Sequence, residues 1–253
     1  MISRYEAYMD GVALSSIDES LLILDIQHHP SDIRFNTGKI ANRNGSMIVS
    51  ESQEGASVSI SFELHLYDIA DRQAACQAVQ RWAMGRVLET NDRDGQQLLV
   101  RCTGFPRIES AMNWTDPIEM TFTAFEHPYW EAKTAETLAF TAGTSGEDTI
   151  DVPGNVDGAF VEAEITAQAA VSEISLTVGE TSITLSGLAL ENGQIVRIAY
   201  DDRNIQSIKV GNTSLLGKRT GSDDLLTVCG ENTVSYSASA SVQVTVSVRG
   251  LWL

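Results

Sequence analysis

The chain has 253 residues, and its 17 basic and 34 acidic side chains give a formal net charge of −17. Such an acidic chain repels nucleic acid and anionic membranes, which argues against a DNA-binding or membrane-surface protein. The length suits two domains, and three sparse cysteines, Cys76, Cys102 and Cys229, favour buried free thiols over a disulfide framework or a zinc site.

Alternation of polar and apolar residues predicts the strands of the first half. Residues 57–66 alternate strictly, which places the even-numbered apolar side chains on one face of a strand. Residues 118–125 repeat the pattern, and 98–102 form a third candidate. The apolar run at 21–24 is typical of a strand buried on both faces.

One helix is predicted near residues 68–84. Asp68 is a good N-cap, and apolar residues then recur at helical spacing as far as Trp82. Gly85 is expected to close the helix in a left-handed conformation. Because the helix follows a strand almost directly, it is expected to lie across a sheet and cover its apolar face, with Trp82 as the main anchor.

The second half is predicted to be all β. Composition shifts after residues 129–131, so the domain boundary is placed near Lys133, giving domains 1–133 and 134–253. Asn192-Gly193 favours a tight hairpin, and Gly211-Asn212 a second turn. Short strands at this spacing indicate a sandwich, and the predicted strands are 138–141, 161–165, 174–178, 182–185, 195–200, 207–210, 233–237 and 242–248.

The sequence contains no phosphate-binding glycine loop and no nucleophile elbow. None of the four histidines has a second histidine four residues away on a helix. His28 and His29 precede a proline and are expected in a surface loop, and His65 is expected to be solvated on the polar face of its strand.

Acidic pairs offer the only other candidate chemistry. Asp201-Asp202 and Asp223-Asp224 could contribute oxygens to calcium, although neighbouring carboxylates are also common at turns. Glu162 and Glu164 share a strand face and could mimic an acid/base pair, but no sugar-stacking aromatic lies nearby. The prediction is therefore no catalytic residue, no cofactor and no metal.

Aromatic residues also argue against sugar binding. Three of the four tryptophans, Trp82, Trp114 and Trp130, are in the first half, and only Trp252 is in the second. Phe160, Tyr200 and Tyr236 are expected in the core. Basic residues interleaved with aromatic ones, which nucleic-acid binders show, are missing.

The order of features resembles the distal tail protein family of long non-contractile phage tails and related prophages. Stretches in the first half that carry the resemblance are 8–12 with 22–26, 43–46, 58–66 with the helix ending at Trp82, and 118–122 with 128–130. Stretches in the second half are 152–155, 193–201, 222–228, 230–234 and 249–253. Ala199 stands where the family often has Asp.

The resemblance implies a mostly β fold with two β-sandwich domains. The first would carry the packed helix and form a homohexameric ring, and the second would be galectin-like. The ring would join the tail tube protein to the tail hub and the receptor-binding proteins. The protein would be made in the bacterial cytoplasm and reside at the virion tail tip, with DNA only passing through its channel and no membrane partner.

Residues 28–52 are predicted to form a loop, which is the candidate contact with a neighbouring subunit or with the tube, because it lies between two strand regions and is long for a simple connector. A disordered loop is the alternative. Solubility is the general explanation of the acidic charge, and the alternative hypothesis is that acidic side chains face the channel and let DNA slide past. Competing functions are another tail tube or baseplate subunit, or a carbohydrate-binding module in which Trp252 or Tyr200 contacts the glycan.

Overall fold

The computed structural model describes residues 4–31, 33–39, 46–53, 55–107, 116–201 and 203–253. These residues are mostly β-strands with a single α-helix among them, so the predicted fold class, mostly β with one helix, is confirmed. The chain divides into two compact units. Unit one runs as far as Trp130 and includes Leu253, and unit two comprises Glu131–Trp252.

The elements of unit one are, in order, β1 (Ala7–Met9), β2 (Val12–Ala13), a 3-10 turn (Leu14–Ser16), β3 (Leu21–His29), β4 (Ile33–Lys39), β5 (Ser46–Gln53), β6 (Ser57–Leu64), α1 (Ile69–Trp82), β7 (Val87–Thr90), β8 (Gln96–Leu99), β9 (Arg101–Gly104) and β10 (Ile118–Thr123).

Antiparallel sheets make up most of unit one. A four-stranded sheet has the order β3-β6-β10-β9, strands β2-β1-β7-β8 lie side by side in another, and β4 and β5 pair with each other. The alternation predicted at 57–66 is confirmed, since Val58, Ile60, Phe62 and Leu64 of β6 are completely buried. Strand β6 thus has one apolar, buried face and one polar face.

Helix α1 covers the apolar face of the four-stranded sheet, as predicted. The Asp68 carboxylate caps it by accepting the backbone N–H groups of Ala70 at 2.7 Å and Asp71 at 3.3 Å. Trp82 packs edge-on against Phe122 of β10, with ring centroids 6.0 Å apart. Its indole N–H also donates to the Val12 carbonyl at 2.7 Å, which fixes the orientation of the ring.

The prediction for Gly85 is wrong. Gly85 is not left-handed, and the residue that ends the helix, Ala83, keeps a helical conformation. Glycine is needed at 85 for space, because a Cβ there would overlap the side chains of Met9 and Asp10. The Asp10 carboxylate accepts the Val87 N–H at 2.9 Å, so this close approach ties the first hairpin to β7.

The prediction of a loop at 28–52 is also wrong. His28 and His29 end strand β3, and the described residues that follow form the two strands of a hairpin, β4 and β5. Residues 43–45, part of the turn quoted for the family resemblance, lie outside the described residues.

Strand β11 (Trp130–Ala132) begins in unit one and continues into unit two. The further elements of unit two are β12 (Glu136–Ala139), β13 (Gly143–Val152), β14 (Ala159–Ala167), β15 (Val171–Val178), β16 (Thr181–Leu190), β17 (Ile195–Tyr200), β18 (Gln206–Val210), β19 (Thr213–Ser214), a 3-10 turn (Leu216–Lys218), β20 (Arg219–Gly221), β21 (Leu226–Thr227), β22 (Gly230–Val248) and β23 (Leu251–Trp252).

Strand β22 organises unit two. Its first half pairs with β13 and β15, and β16 and β20 continue that side of the sheet. Its second half pairs with β12 and β14, followed outward by β17, β18 and β19. The sequence predicts two strands, 233–237 and 242–248, where the chain forms this one strand of 19 residues.

The two predicted turns have different outcomes. Gly211-Asn212 forms the expected two-residue hairpin, with Val210 opposite Thr213. The prediction of a hairpin at Asn192-Gly193 is wrong, because β16 and β17 do not pair with each other but with other strands. Instead the turn binds the end of β14, where the Ala167 carbonyl accepts the Gly193 N–H at 2.8 Å.

The turn Pro153-Gly154-Asn155 holds the last strand of unit two. The Asn155 N–H donates to the Leu251 carbonyl at 2.9 Å. A Cβ at Gly154 would overlap the backbone of Leu251, and a Cβ at Gly250 would overlap the Pro153 carbonyl. The two stretches, both quoted for the family resemblance, therefore form one tight backbone contact.

Candidate interaction surfaces

One face of the four-stranded sheet in unit one carries short hydroxyl side chains. We call it the hydroxyl face and define it by Ser57, Ser59, Ser61, Thr103, Thr121 and Thr123, with the carboxylates of Glu63 and Glu119. The hydroxyl oxygens of Thr103 and Thr123 lie 3.0 Å apart across β9 and β10. Arg101, opposite Thr123, also lies on this face, but it pairs with Glu126 at 3.2 Å. The carboxylates of Glu63 and Glu119 therefore give the polar face its negative charge, which does not attract a polyanion.

Within the described part of the chain, no further strand pairs with either outer strand of this sheet. The order β3-β6-β10-β9 leaves nine-residue β3 at one side and four-residue β9 at the other. An unpaired edge presents backbone N–H and C=O groups that can pair with another chain. The two outer strands are therefore the candidate places for pairing with a strand of a partner.

The hairpin β4–β5 is a second candidate surface. Its strands pair with each other and with no other described strand. Phe35, Met47, Ile48 and Val49 are each 50% to 64% exposed. The register places Phe35, Thr37 and Ile48 on one face and Met47 on the other. A two-stranded hairpin is marginally stable alone, so this exposed apolar hairpin is suited to pack against a partner.

A polar cluster holds the chain just before the hairpin. His28 Nε2 lies 2.7 Å from Asp92 Oδ2, and the imidazole meets the Trp130 ring edge-on at 5.3 Å. Burial alone would raise the pKa of Asp92, but the neighbouring Thr90 side chain and the hydrogen bond and charge of His28 lower it below the usual value. His28 is thus a half-buried anchor, contrary to the surface loop expected for it.

The other histidines also have structural contacts. His65 is half-buried, with Nε2 2.9 Å from Glu63 Oε2, where a solvated side chain was expected. His127 is buried and meets Tyr129 edge-on at 5.4 Å. His29 is exposed. The structure does not bring these side chains together as a site.

The candidate calcium carboxylates serve turns instead. Asp201 accepts the N–H groups of Ile205 and Arg203, each at 2.9 Å, and these bonds lower the pKa of its carboxyl. Asp223 pairs with Arg219 at 2.8 Å. Asp202 lies outside the described residues. The described residues contain no group of three or more His, Cys, Asp or Glu that could hold a metal ion.

The two cysteines of unit one are shielded, and the third is not. Burial raises the pKa of the Cys76 thiol, and it raises the pKa of Cys102 to about 11. Cys229 is exposed, contrary to the expectation of buried thiols, and its Sγ lies 2.7 Å from the Gly154 carbonyl oxygen.

The tyrosines of unit two are structural, as predicted. The Tyr200 ring packs on Phe160 with centroids 4.6 Å apart, and its hydroxyl oxygen accepts the Leu225 N–H at 3.1 Å. Tyr236 is buried against Phe140. Tyr200 is half-buried. Trp252 is half-exposed, and Trp114 lies outside the described residues.

The fold is shared with phage hub and baseplate proteins of known structure. The crystal structure of SPP1 Dit (gp 19.1), described as a paradigm of the hub adsorption apparatus in phages infecting Gram-positive hosts, superimposes with a TM-score of 0.72 at 12% identity, covering 97% of this chain and 98% of that one. The activated phage P2 baseplate has TM-scores of 0.53 with calcium and 0.52 with strontium, at 9% and 10% identity and 97% coverage of both chains.

No family model matches the sequence, and no curated protein matches it either. The resemblance to the distal tail protein family is confirmed at the level of the fold. At these identities the comparison concerns the fold, and function has to be argued from the surfaces described above.

The apolar residues of the hairpin were missed by sequence reasoning, which treated the whole segment as a contact loop. The run Met47-Ile48-Val49 was the available signal, since three consecutive apolar residues within a polar segment are unusual for a solvated connector. Asp92 and Arg93 gave no signal, because their partners, His28 and Trp130, are distant in sequence.

Proposed function

We propose that this chain is a structural protein of a phage or prophage tail tip, and that six copies form a ring joining the tail tube to the tail hub and the receptor-binding proteins. The observation that carries the proposal is the four-stranded sheet of unit one, which has a polar, acidic face and whose outer strands, β3 and β9, pair with no further described strand. The fold it shares with SPP1 Dit over nearly the full length of both chains supports the same role.

Pairing between the outer strands of neighbouring copies would allow a ring to form. The edges β3 and β9 belong to different strands, so a contact between them is heterologous and repeats head to tail. Such a contact closes into a ring when the rotation between copies divides a full turn. Backbone pairing at every junction would then join six four-stranded sheets into one continuous wall.

One side of this wall would be buried and the other would be exposed to solvent. Helix α1 covers the apolar side of the sheet, so the hydroxyl face is the side left to line a channel. The carboxylates of Glu63 and Glu119 would give the channel negative charge. Like charge keeps DNA hydrated and mobile, so it would pass through without being trapped.

The exposed hairpin β4–β5 would reach a neighbouring subunit or the last ring of the tube. Its apolar side chains lie on both faces, so it is suited to lie between two surfaces. Burying the side chains of Phe35, Met47, Ile48 and Val49 would stabilise both the hairpin and the assembly. In this arrangement unit one is the ring-forming domain with its boundary near Lys133, and unit two is a galectin-like domain on the outside.

The proposal places the protein at the virion tail tip after synthesis in the bacterial cytoplasm. It requires no catalytic residue, cofactor or metal. No helix in the described part of the chain is long and apolar enough to cross a membrane.

Gold labelling of virions tests the location. A peptide tag inserted at the exposed turn Gly179-Glu180 would leave β15 and β16 paired on either side. The expected result is label at the junction between tube and tip. Label along the whole tube would identify a tube subunit instead, and label on released protein alone would contradict a virion role.

A further inference from the structure

An open cleft of about 680 Å³ lies on the outer face of β17 and β18 in unit two. Its centre is formed by Arg197 and Lys209, which are direct partners across the two strands. Small residues flank them, with Ala199 and Ser207 on one side and Gly211 on the other. The two cationic side chains therefore have free space around their charged ends.

The two cations are unusual in this part of the chain. Residues 134–253 carry 6 basic and 15 acidic side chains, and two of the six basic ones meet in this cleft. Like charges directly opposite each other on a sheet are unfavourable. Folding alone gives no reason to place them together, so a ligand is the more direct explanation.

Glu164 orients the arginine without blocking it. Its carboxylate Oε1 lies 2.8 Å from Arg197 Nε, and the two residues are partners across β14 and β17. This contact uses the Nε–H and leaves the two terminal guanidinium nitrogens for another anion. Lys209 has no ion pair among the described residues. Glu162 lies on the same exposed face of β14, two residues from Glu164, so two carboxylates and two cations share this face.

We propose that this cleft binds an acidic glycan, a hydroxyl-rich polymer with one phosphodiester or carboxylate group in each repeat. The terminal guanidinium nitrogens of Arg197 and the Lys209 ammonium group can together bind one anionic group. Ser207 and the Gln194 amide, both half-buried at the cleft, can bond the hydroxyls of the polymer. The cleft contains no aromatic ring, so it suits a flexible chain held by its charge better than a neutral sugar held by stacking.

An acidic peptide fits the cleft less well. A peptide commonly binds by adding a strand to a free sheet edge. Beside the cleft that edge is occupied, because β19 pairs with β18 at Lys209 and Val210. The glycan proposal does not depend on ring formation, since all the residues involved lie within one unit of one chain.

Binding of the intact chain to immobilised polymers tests the proposal. The probes are poly(glycerol phosphate) for phosphodiesters, polygalacturonate for carboxylates, neutral dextran and poly-glutamate. Measurements at about 10 mM salt, where charges act over about 30 Å, are compared with about 100 mM, where the range is about 10 Å. We expect salt-sensitive binding of poly(glycerol phosphate), polygalacturonate or both, and no binding of dextran. Tighter binding of the first would indicate a preference for phosphodiesters, and tighter binding of the second a preference for carboxylates.

Three variants test whether the polymer binds in the cleft. Lys209→Ala and Arg197→Gln are each expected to weaken binding roughly tenfold, the size of one charge-assisted hydrogen bond. The matched control is Lys133→Ala, an exposed lysine outside the cleft, and it should bind as the parent protein does. All three changes are at exposed side chains, so circular dichroism and thermal melting should be unchanged.

Several results would overturn the proposal. These are no binding of either acidic glycan at low salt, equal losses in Lys209→Ala and Lys133→Ala, or equally tight binding of poly-glutamate. Glu164→Gln adds a discriminating measurement. Removal of the competing carboxylate should preserve or tighten binding, and a large loss would contradict the assigned role of Glu164.

Discussion

Ser59 and Thr121 lie opposite each other on β6 and β10, and their hydroxyl oxygens are 3.4 Å apart on the polar side of a sheet whose other side is buried. The residues beside Ser59 along β6, Val58 and Ile60, point the other way and are completely buried. This two-residue period produces both the core and the hydroxyl face from the same strands.

Charge reversal on the hydroxyl face tests the channel. Glu119→Lys should slow DNA release from assembled particles, because a lysine in the wall attracts the phosphate backbone. The measurement is the rate of dye-detected DNA ejection. Glu173→Lys, an exposed site in unit two, is the matched control and should leave the rate unchanged. Parental kinetics in Glu119→Lys particles would exclude this role for the face.

Substitutions in the hairpin β4–β5 should prevent assembly without changing the stability of the isolated chain. Phe35→Ser with Ile48→Ser should abolish assembly while changing the free energy of unfolding of the isolated chain by less than about 0.5 kcal/mol, since both side chains are exposed. Analytical ultracentrifugation and urea unfolding give the two values. Ile205→Ser, another exposed isoleucine, should assemble normally. Full assembly of the double variant would show that the hairpin is not a contact.

Trp82 should dominate the stability of unit one. Trp82→Ala removes the ring from Phe122 and the hydrogen bond to Val12, and we expect a loss of about 3–5 kcal/mol in urea unfolding. Tyr67→Ala, an exposed aromatic beside the same helix, should cost less than about 0.5 kcal/mol. Similar losses in the two variants would refute the assignment of Trp82 as the anchor.

The close contact between Gly250 and Pro153 predicts that alanine substitutions at two glycines have very different effects on stability. Gly250→Ala places a Cβ against the Pro153 carbonyl and should destabilise the protein by about 3 kcal/mol, the upper part of the range for overpacking, because backbone cannot move aside. Gly217→Ala meets no atom within 4 Å and has no positive φ, so it should be nearly neutral. Calorimetry compares the two melting temperatures.

The lowered pKa of Asp92 predicts a pH dependence of stability. Its contribution should be fully present above the unfolded value of 3.8 and disappear as the pH falls through the lower pKa of the folded state. Asp92→Asn should therefore be less stable than the parent at pH 7, and the gap should close under strong acid. Urea unfolding at several pH values measures it, and a gap independent of pH would contradict the ion-pair account.

Local patterns predicted the elements that depend on local contacts. The alternation at 57–66 and the Asp68 cap define β6 and the start of α1, because side-chain period and capping are properties of adjacent residues. The structural role of Tyr200 was also predicted, and its ring packs on Phe160.

Features that depend on distant contacts could not be predicted in this way. Asn192-Gly193 has the composition of a hairpin turn, but the strands on either side pair elsewhere in the sheet. Gly85 is required by Met9, which lies far away in sequence. Arg197 and Lys209 meet only because β17 and β18 pair in one particular register, so the cleft was not visible in the sequence.

Electron microscopy of the purified protein at high concentration tests the central claim most directly. Negatively stained particles should be closed rings with six-fold symmetry and an open centre. Two-fold dimers would contradict the account, because β3 and β9 could not then join head to tail, and a population of single chains alone would contradict a ring closed by this protein.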